Sequence, residues 1–198
     1  MLSDFKRILV VRTDRLGDVV LTLPLFPILR RRFPHAHLSI LLRRYTGAVV
    51  EGNPFIDEVI FEDRAAGWLG YFRHVAALRR KKFDLAVIYH TKRRTNMACF
   101  LAGIPHRLGY KNNKFGFLLT QPIVDERHLG TKHESEYCMD LLKVIGVKGG
   151  GLELQVALHE DAEAWAERFF IDHKLAGSPV IAIHPSASCP TRFWPVDS

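Results

Sequence analysis

The sequence predicts an α/β fold, a doubly wound parallel sheet with helices packed on it. Short apolar runs that suit buried parallel strands alternate with longer segments whose apolar residues recur at helical spacing. The first run, Ile8–Val11, leads directly into a charged turn that closes on Gly17-Asp18, where a helical pattern begins. With 47% hydrophobic residues over 198 positions, the chain has enough apolar material for a substantial core.

The expected elements follow from this alternation. Helices are predicted at Asp18–Arg32, Ala65–Lys81, Asn96–Gly103 and His133–Ile145, and strands at Arg7–Val11, His37–Leu42, Glu58–Phe61, Leu85–Tyr89 and, more weakly, around Arg107–Tyr110. Pro24 and Pro27 must kink or restart the first helix, because neither has a backbone N–H to donate. Thr131 and Glu134 have the spacing of a capping box, which supports a helix start nearby.

The pattern breaks at Lys148-Gly149-Gly150-Gly151, after which a helix is expected from about Glu160 to His173. The apolar run Pro179–Ile183 then predicts a new strand, which leads into a loop that ends three residues before Ser198. We interpret residues 1–175 as one domain and residues 176–198 as the beginning of an incomplete second one. An uncovered strand would expose an unpaired edge, so we expect this run to pack on the first domain or to pair with another chain. A solvated, isolated segment would count against this boundary.

Composition narrows the classes of function. A formal net charge of +7 favours an anionic partner, such as a nucleotide, a phosphorylated lipid, a membrane surface or a nucleic acid. Nucleic-acid binding is disfavoured because the sequence has no RNP-type aromatic pattern, zinc finger or basic helix. A nicotinamide enzyme is disfavoured because no G-x-G-x-x-G follows the first strand.

Cysteine usage and apolar segments bear on the compartment. The three cysteines are far apart and form neither a disulfide framework nor a zinc motif. No leader-like segment is found, and no run approaches the roughly 20 apolar residues that span a bilayer. We expect a cytoplasmic protein, with peripheral contact at the inner face of the cytoplasmic membrane left open.

Asp18 is the first candidate for chemistry. Ligands of open α/β sheets bind outside the carboxyl ends of the strands, and the start of a helix favours an ionised carboxylate there. The alternative is a simple N-cap role. Gly17 suits a close substrate approach or a positive φ, although a plain turn is equally consistent. In the same loop as Thr13, Arg15 either meets an anionic ligand or pairs with Asp14.

Three further segments carry candidate binding residues. Lys92 and Arg93 follow the strand that ends at Tyr89, where they form a cradle for anionic groups or an ordinary basic loop. His133 and Glu136 stand at a helix start, where His133 either contacts substrate or makes a local hydrogen bond. The loop after Ile183 is a candidate phosphate cradle or an ordinary turn, with hydroxyls and a cation at Ser186, Ser188, Thr191 and Arg192.

Five segments, taken in order, resemble the ADP-heptose:lipopolysaccharide heptosyltransferases, which form glycosyltransferase family 9 and have a two-domain GT-B fold. They are RTDRLGDVVLTLP at 12–24, NPFIDEV at 53–59, FDLAVI with IPHRLGY at 83–110, HESEY at 133–137, and the loop from Pro185 to Pro195. The chain departs from the family at Arg192-Phe193, where a Lys followed by Arg or Ser usually precedes Trp-Pro, and lysine and arginine differ in geometry. Family members also continue well beyond the equivalent of Ser198.

The resemblance implies a Rossmann-like N-terminal domain that binds the acceptor, and an inverting transfer of heptose from ADP-heptose to the inner core of lipopolysaccharide. Asp18 would be the general base, and no metal or cofactor would be needed. A lipid A–Kdo acceptor would meet Thr13, Arg15, Gly17, Lys92, Arg93 and His133, whereas Ser186, Ser188, Thr191 and Arg192 would hold the diphosphate of the donor. The 198 residues alone are expected to be inactive.

The alternative is a module that binds an anionic lipopolysaccharide precursor or membrane surface without catalysis. The sequence leaves the acceptor, the true sugar and the oligomeric state open.

Overall fold

The structure, a computed structural model, describes residues 4–62, 67–111, 114–149, 151, 153–158, 160–175, 177 and 179–184. The chain divides into two compact units, residues 1–157 and residues 158–198. The division precedes the last helix, which the sequence pattern assigns to the first domain. The domain boundary at 175/176 stays a prediction.

The first unit contains an all-parallel sheet, as predicted, and the sheet has six strands. Its strands are β1 (Arg7–Val11), β2 (His37–Leu42), β3 (Glu58–Phe61), β4 (Leu85–Ile88), β5 (His106–Lys111) and β6 (Gln121–Val124). They lie in the order β3-β2-β1-β4-β5-β6. This is the doubly wound Rossmann order, and its direction reverses between β1 and β4, where ligands bind in such sheets.

Helices cover both faces of this sheet. They are α1 (Leu16–Val20), α2 (Leu25–Arg32), α3 (Gly67–Arg80), α4 (Arg93–Leu101) and α5 (Glu134–Lys143). Successive side chains of a strand point to opposite faces, so β1 contributes to two cores. Ile8 and Val10 join a cluster with α2 and α5, whereas Leu9 and Val11 join a cluster with α3 and α4.

The two prolines of the first helical segment restart the helix, as the sequence requires. The chain turns at residues 21–24 between α1 and α2, and Pro24 is the N-cap of α2. Pro27 lies in the first turn of α2, where backbone N–H groups have no partner within the helix. A proline therefore sacrifices no helical hydrogen bond at these positions.

Several helix starts differ from the prediction, and α1 begins at Leu16 instead of Asp18. Helix α4 begins at Arg93, three residues early, because the hydroxyl of Thr95 accepts from the Lys92 N–H at 3.1 Å and fixes the first turn. The capping box at Thr131 is wrong. Helix α5 is capped by His133, whose N–H donates to Glu136 Oε2 at 2.8 Å.

Strand β6 was not predicted. It is short, it lies at the edge of the sheet, and only alternate residues are partly buried, so it lacks a continuous apolar run. Pro122 also removes one backbone donor, which an edge strand tolerates. Its position matters because the chain that follows β6 reaches the candidate site.

The second unit contains helix α6 (Glu160–Asp172), which has no buried residue. The strand predicted at Pro179–Ile183 is wrong, because these residues have no strand assignment and Ile181 and Ile183 are 85% and 82% exposed. A strand needs a neighbour for its backbone hydrogen bonds, and no sheet partner is found within the described residues. Within the same described residues, no helix is both long and apolar enough to cross a bilayer.

Candidate functional site

The loops after β1 and β4 meet at the carboxyl edge of the sheet. Arg12, the first residue beyond β1, is fixed by its backbone N–H, which donates to the Leu41 carbonyl of β2 at 2.9 Å. The hydroxyl of Thr13 lies 3.1 Å from Nδ1 of His90, which follows β4. These contacts join the two sides of the point where the strand order reverses.

A cavity of about 490 Å³ opens beside this junction. We call it the carboxylate cavity, and its lining residues are Arg12, Asp14, Asp18, Asp125, Arg127, His128 and Glu134. Asp18 lies in the first turn of α1 with 33% of its side chain exposed, so a substrate in the cavity can reach it. The N-cap of α1 is Arg15, so the alternative capping role of Asp18 is wrong.

Arg12 is the buried centre of the carboxylate cavity, with 1% of its side chain exposed. Its Nη2 donates to Glu134 Oε1 at 2.8 Å and lies 3.3 Å from Asp18 Oδ1. Burial by itself lowers the pKa of Arg12, but the nearby Cys138 and the carboxylates of Asp14 and Glu134 raise it above its ordinary value. The guanidinium is therefore a permanent cation shared among several acids.

Asp14 is the most perturbed carboxyl group of this cavity. Its Oδ1 lies 3.2 Å from Arg12 Nε, but the two atoms are not aligned for a hydrogen bond. Burial raises the pKa of Asp14 to about 6, Asp18 and Glu134 add to the rise, and Arg12 opposes it. A carboxyl that titrates near neutral pH inside a cleft is typical of functional sites.

A second arginine closes the carboxylate cavity from the segment after β6. Arg127 binds Asp125 with two hydrogen bonds, Nε to Oδ1 at 2.8 Å and Nη2 to Oδ2 at 2.7 Å. Its guanidinium lies over the Tyr110 ring at 4.0 Å, and its Nη1 lies 3.7 Å from Glu134 Oε1. The paired hydrogen bonds raise the pKa of Arg127 and lower that of Asp125. Glu134 thus bridges the two arginines.

A second cavity of about 480 Å³ has the opposite charge. We call it the basic cavity, and it is lined by Lys92, Arg93, Arg94 and Lys114. Lys92 caps α4 and the two arginines lie in its first turn, where the helix dipole disfavours cations. Arg94 is held by the Tyr71 ring at 4.4 Å and by Glu62 at 3.4 Å. The cations and the helix start together make this surface strongly positive.

The predicted site residues lie in two different cavities or are buried beside them. Asp18 lines the carboxylate cavity, and Lys92 and Arg93 line the basic cavity. Thr13 is buried against His90, and the loop acid Asp14 pairs with Arg12 instead of Arg15.

Of the remaining predicted site residues, the structure describes Gly17 and His133 but none of those in the loop after Ile183. Gly17 lies in α1 without a positive φ, so that alternative is wrong, and an added Cβ there would meet nothing within 4 Å. His133 makes the local cap, since its Nδ1 accepts from Ser135 N at 3.4 Å. Ser186, Ser188, Thr191 and Arg192 lie outside the described residues. The binding role of each of these residues stays a prediction.

Sequence reasoning missed Arg12, Asp14, Asp125, Arg127, Glu134 and Lys114 as site residues. The first two belong to the RTDRLGD segment, where an arginine directly after a buried strand was an available signal. Glu134 is 122 positions from Arg12, and no local pattern reports such a contact.

Comparison with known proteins identifies the relatives of the chain. A putative glycosyltransferase of Haemophilus influenzae is 28% identical over 138 residues, which are 70% of this chain and 40% of that protein. Lipopolysaccharide heptosyltransferase 2 of Escherichia coli is 27% identical over 124 residues, 61% of this chain and 36% of that protein. The crystal structure of a family 9 glycosyl transferase from Veillonella parvula superposes with a TM-score of 0.84 at 27% identity, covering 98% of this chain and 57% of the other. The resemblance to glycosyltransferase family 9 is confirmed.

The observed fold agrees with the likeness to family 9. The six-stranded parallel sheet with flanking helices matches the Rossmann-like domain of the family 9 structure. This chain spans 40% and 36% of the length of the two curated relatives. No protein-family model matches the sequence.

Proposed function

We propose that this chain supplies the acceptor-binding part of an inverting glycosyltransferase with Asp18 as the general base. The observation that carries the proposal is the position of Asp18. It is a partly exposed carboxylate, beside a buried arginine, on the wall of a cavity at the carboxyl edge of a Rossmann-ordered sheet. Open α/β sheets bind their ligands at this edge.

The proposed reaction transfers heptose from ADP-heptose to a hydroxyl of the inner core of lipopolysaccharide. Asp18 takes the proton of the acceptor hydroxyl as its oxygen attacks the anomeric carbon, and the bond to the ADP oxygen breaks. Names of relatives support the sugar and the acceptor, since lipopolysaccharide heptosyltransferase 2 of two bacteria matches 61% of this chain. The reaction would take place in the cytoplasm, with the acceptor presented at the inner face of the cytoplasmic membrane.

The basic cavity supports an anionic acceptor. Lys92, Arg93, Arg94 and Lys114 line it. Phosphate and carboxylate groups of a lipid A–Kdo acceptor would pair with these cations, and arginine suits such planar or tetrahedral anions. The partners of the donor diphosphate would be Ser186, Ser188, Thr191 and Arg192, by resemblance alone.

The transfer of radiolabelled heptose to lipid A–Kdo tests this proposal. The assay uses the protein as its gene encodes it, whatever its length, because the 198 residues alone are expected to be inactive. Asp18→Asn keeps the size of the side chain and removes the base. The expected loss of kcat is roughly 100- to 10,000-fold, the usual worth of general-base catalysis. Circular dichroism and thermal unfolding of the same samples check that the fold is retained.

Asp140→Asn is the matched control. Asp140 lies on α5, pairs with Lys132 and Lys143 at 2.7 Å, and lines neither cavity, so this variant should keep wild-type transfer. Undiminished turnover by Asp18→Asn would remove Asp18 from the role of base. Absence of any transfer by the wild-type protein with this donor and acceptor would reject the proposed substrates.

The basic cavity also favours a second candidate, a module that binds anionic lipid without transfer. An exposed aromatic side chain lies near its cations, since Arg93 lies 5.7 Å from the Phe115 ring, which packs edge-to-face with the 79% exposed Phe117. Vesicles that contain an anionic lipid should then pull down the 198-residue chain at low salt and release it at high salt. Binding of this kind, together with a complete lack of transfer by the protein as its gene encodes it, would favour the module over the enzyme.

A further inference from the structure

The guanidinium of Arg12 touches the proposed base and leaves almost no surface of its own for a substrate. One per cent of the Arg12 side chain is exposed, compared with 33% for Asp18. Any influence of Arg12 on chemistry in the carboxylate cavity must therefore pass through its neighbours.

One nitrogen of Arg12 contacts two carboxylates at different distances. Nη2 donates to Glu134 Oε1 at 2.8 Å and lies 3.3 Å from Asp18 Oδ1. The shorter, aligned contact belongs to Glu134, so Glu134 determines where the guanidinium lies. Asp18 makes the longer contact through one oxygen, which orients the carboxylate without enclosing it.

Glu134 is itself fixed relative to the helix that carries Asp18. The hydroxyl of Ser135, at the start of α5, donates to the Leu21 carbonyl just beyond α1 at 2.9 Å. The hydroxyl of Thr22 donates back to the Asp18 carbonyl at 2.8 Å. The start of α5 and the end of α1 are thus joined beside the cavity, and Arg127 contacts Glu134 from its other side.

Stability alone is a poor reason for this arrangement. A buried ion pair gains from its mutual attraction little more than it loses in desolvation, and apolar side chains of similar volume are often as stable or more so. Here a guanidinium with 1% exposure is kept among three acids, Asp14, Asp18 and Glu134. A cost of this kind is expected at functional sites.

We propose that Arg12 and Glu134 are positioning residues for Asp18: Glu134 fixes the buried guanidinium, and the guanidinium holds the Asp18 carboxylate toward the cavity. The proposal rests on the proposed function of Asp18 as base. Neither residue receives the proton of the acceptor, and Arg12 makes no contact with it.

The kinetic test uses Glu134→Gln and Arg12→Lys in the transfer assay. Glutamine keeps the size and an acceptor oxygen but loses the charge, and lysine keeps the charge but loses the planar fork that reaches two carboxylates. Misplacing a reacting group by about 1 Å costs on the order of 100-fold, so kcat should fall about 10- to 100-fold with KM within about twofold. The control is again Asp140→Asn, which removes a carboxylate from the same helix.

A spectroscopic test requires no activity. The 198-residue chain is labelled with ¹³C at the aspartate carboxyl carbons, and the signals of Asp14 and Asp18 are followed in the wild type and the variants. Asp14 should titrate near its pKa of about 6 in the wild type. The charged groups around it are Arg12, Asp18 and Glu134, with Asp125, Arg127 and His128 also lining the cavity.

Loss of the Glu134 charge should lower the titration midpoint of Asp14 and move the Asp18 carboxyl signal at fixed pH, whereas Asp140→Asn should change neither. Folded variants that retain wild-type kcat, or an Asp18 signal that does not move in either variant, would overturn the positioning role. Lack of transfer by the wild type would instead reject the proposed function and leave the spectroscopic result to decide on positioning. If one variant fails to fold, the other decides.

Discussion

The two cavities at the carboxyl edge of the sheet have opposite charges. The carboxylate cavity is lined by four acids, two arginines and His128, and its central cation is buried among acids and Cys138. The basic cavity has four cations at and near the start of α4, and Arg93 contacts an aromatic ring at 5.7 Å. One cavity is suited to moving a proton, and the other to holding an anion. The comparison teaches that neighbouring strand ends of a single sheet can divide the proposed chemistry between them.

The largest expected effect is a loss of folding stability when Arg12, the buried centre of the carboxylate cavity, is removed. Arg12→Ala leaves Asp14, Asp18 and Glu134 without their shared cation, and breaking a buried ion pair costs about 3–5 kcal/mol. Chemical denaturation should show this loss. Arg93→Ala, in the basic cavity, should change the free energy of unfolding by less than about 0.5 kcal/mol, as surface substitutions do. If both variants lost the same free energy of unfolding, the contrast between the buried Arg12 and the accessible Arg93 would be wrong.

The next effect is a pH dependence that only the carboxylate cavity should show. The folded-state pKa of Asp14 is raised to about 6 from an ordinary 3.8, so the folded chain binds a proton more tightly than the unfolded chain. This contribution stabilises the fold below about pH 4 and is lost as the pH rises to about 6. The total is at most about 3 kcal/mol, at 1.36 kcal/mol for each pKa unit.

Denaturation between pH 4 and pH 7, on the wild type and Asp14→Asn, measures this contribution. Stability of the wild type should fall relative to the variant over that window. Parallel curves would show that Asp14 titrates at its ordinary pKa.

A smaller effect should separate binding from chemistry. Lys92→Gln with Arg93→Gln removes two cations from the basic cavity, and we expect acceptor affinity to fall about tenfold to a hundredfold, or about 1.4–2.8 kcal/mol, with kcat little changed. Arg79→Gln with Arg80→Gln is the matched control. It removes the same charge from exposed residues in the last turn of α3, which do not line the basic cavity. Titration calorimetry at two salt concentrations measures both. A similar loss in the control would mean that net charge, not the cavity, attracts the acceptor.

The smallest expected effect is the loss of stability when an exposed ion pair, far less buried than that of Arg12, is removed. Asp140 pairs with Lys132 and Lys143, whose side chains are 43% and 59% exposed. Exposed ion pairs are worth about 0–1 kcal/mol, so Asp140→Asn should lower the free energy of unfolding by less than about 1 kcal/mol. A loss as large as that of Arg12→Ala would show that the distinction between buried and exposed pairs does not hold here.

Much of the fold was predictable because its signals are local. Four strands follow from apolar runs, and β1, β2 and β3 have the predicted bounds. Strand β6 was missed because an edge strand with a proline and alternate exposure has no such run. The strand expected at Pro179–Ile183 failed for a related reason, since apolar residues form a strand only where a neighbouring strand supplies hydrogen bonds.

The candidate site was predicted only in part. Asp18, Lys92 and Arg93 lie where a predicted strand is followed by a loop and the start of a helix, so their place at the carboxyl edge could be derived from the sequence. The role of His133 as the cap of α5 was an open alternative that the structure adopts. Asp125, Arg127 and Glu134 enter from segments after β6, which the sequence did not predict as a strand.

The sequence by itself determined the alternation of strands and helices, the family resemblance and the place of Asp18 near the end of β1. These depend on residues a few positions apart. Only the tertiary structure decided that Arg12 is buried, that Glu134 makes its shortest polar contact and that the pKa of Asp14 rises to about 6. Burial and charge at one point depend on every segment packed there, and the partner here comes from 122 residues along the chain.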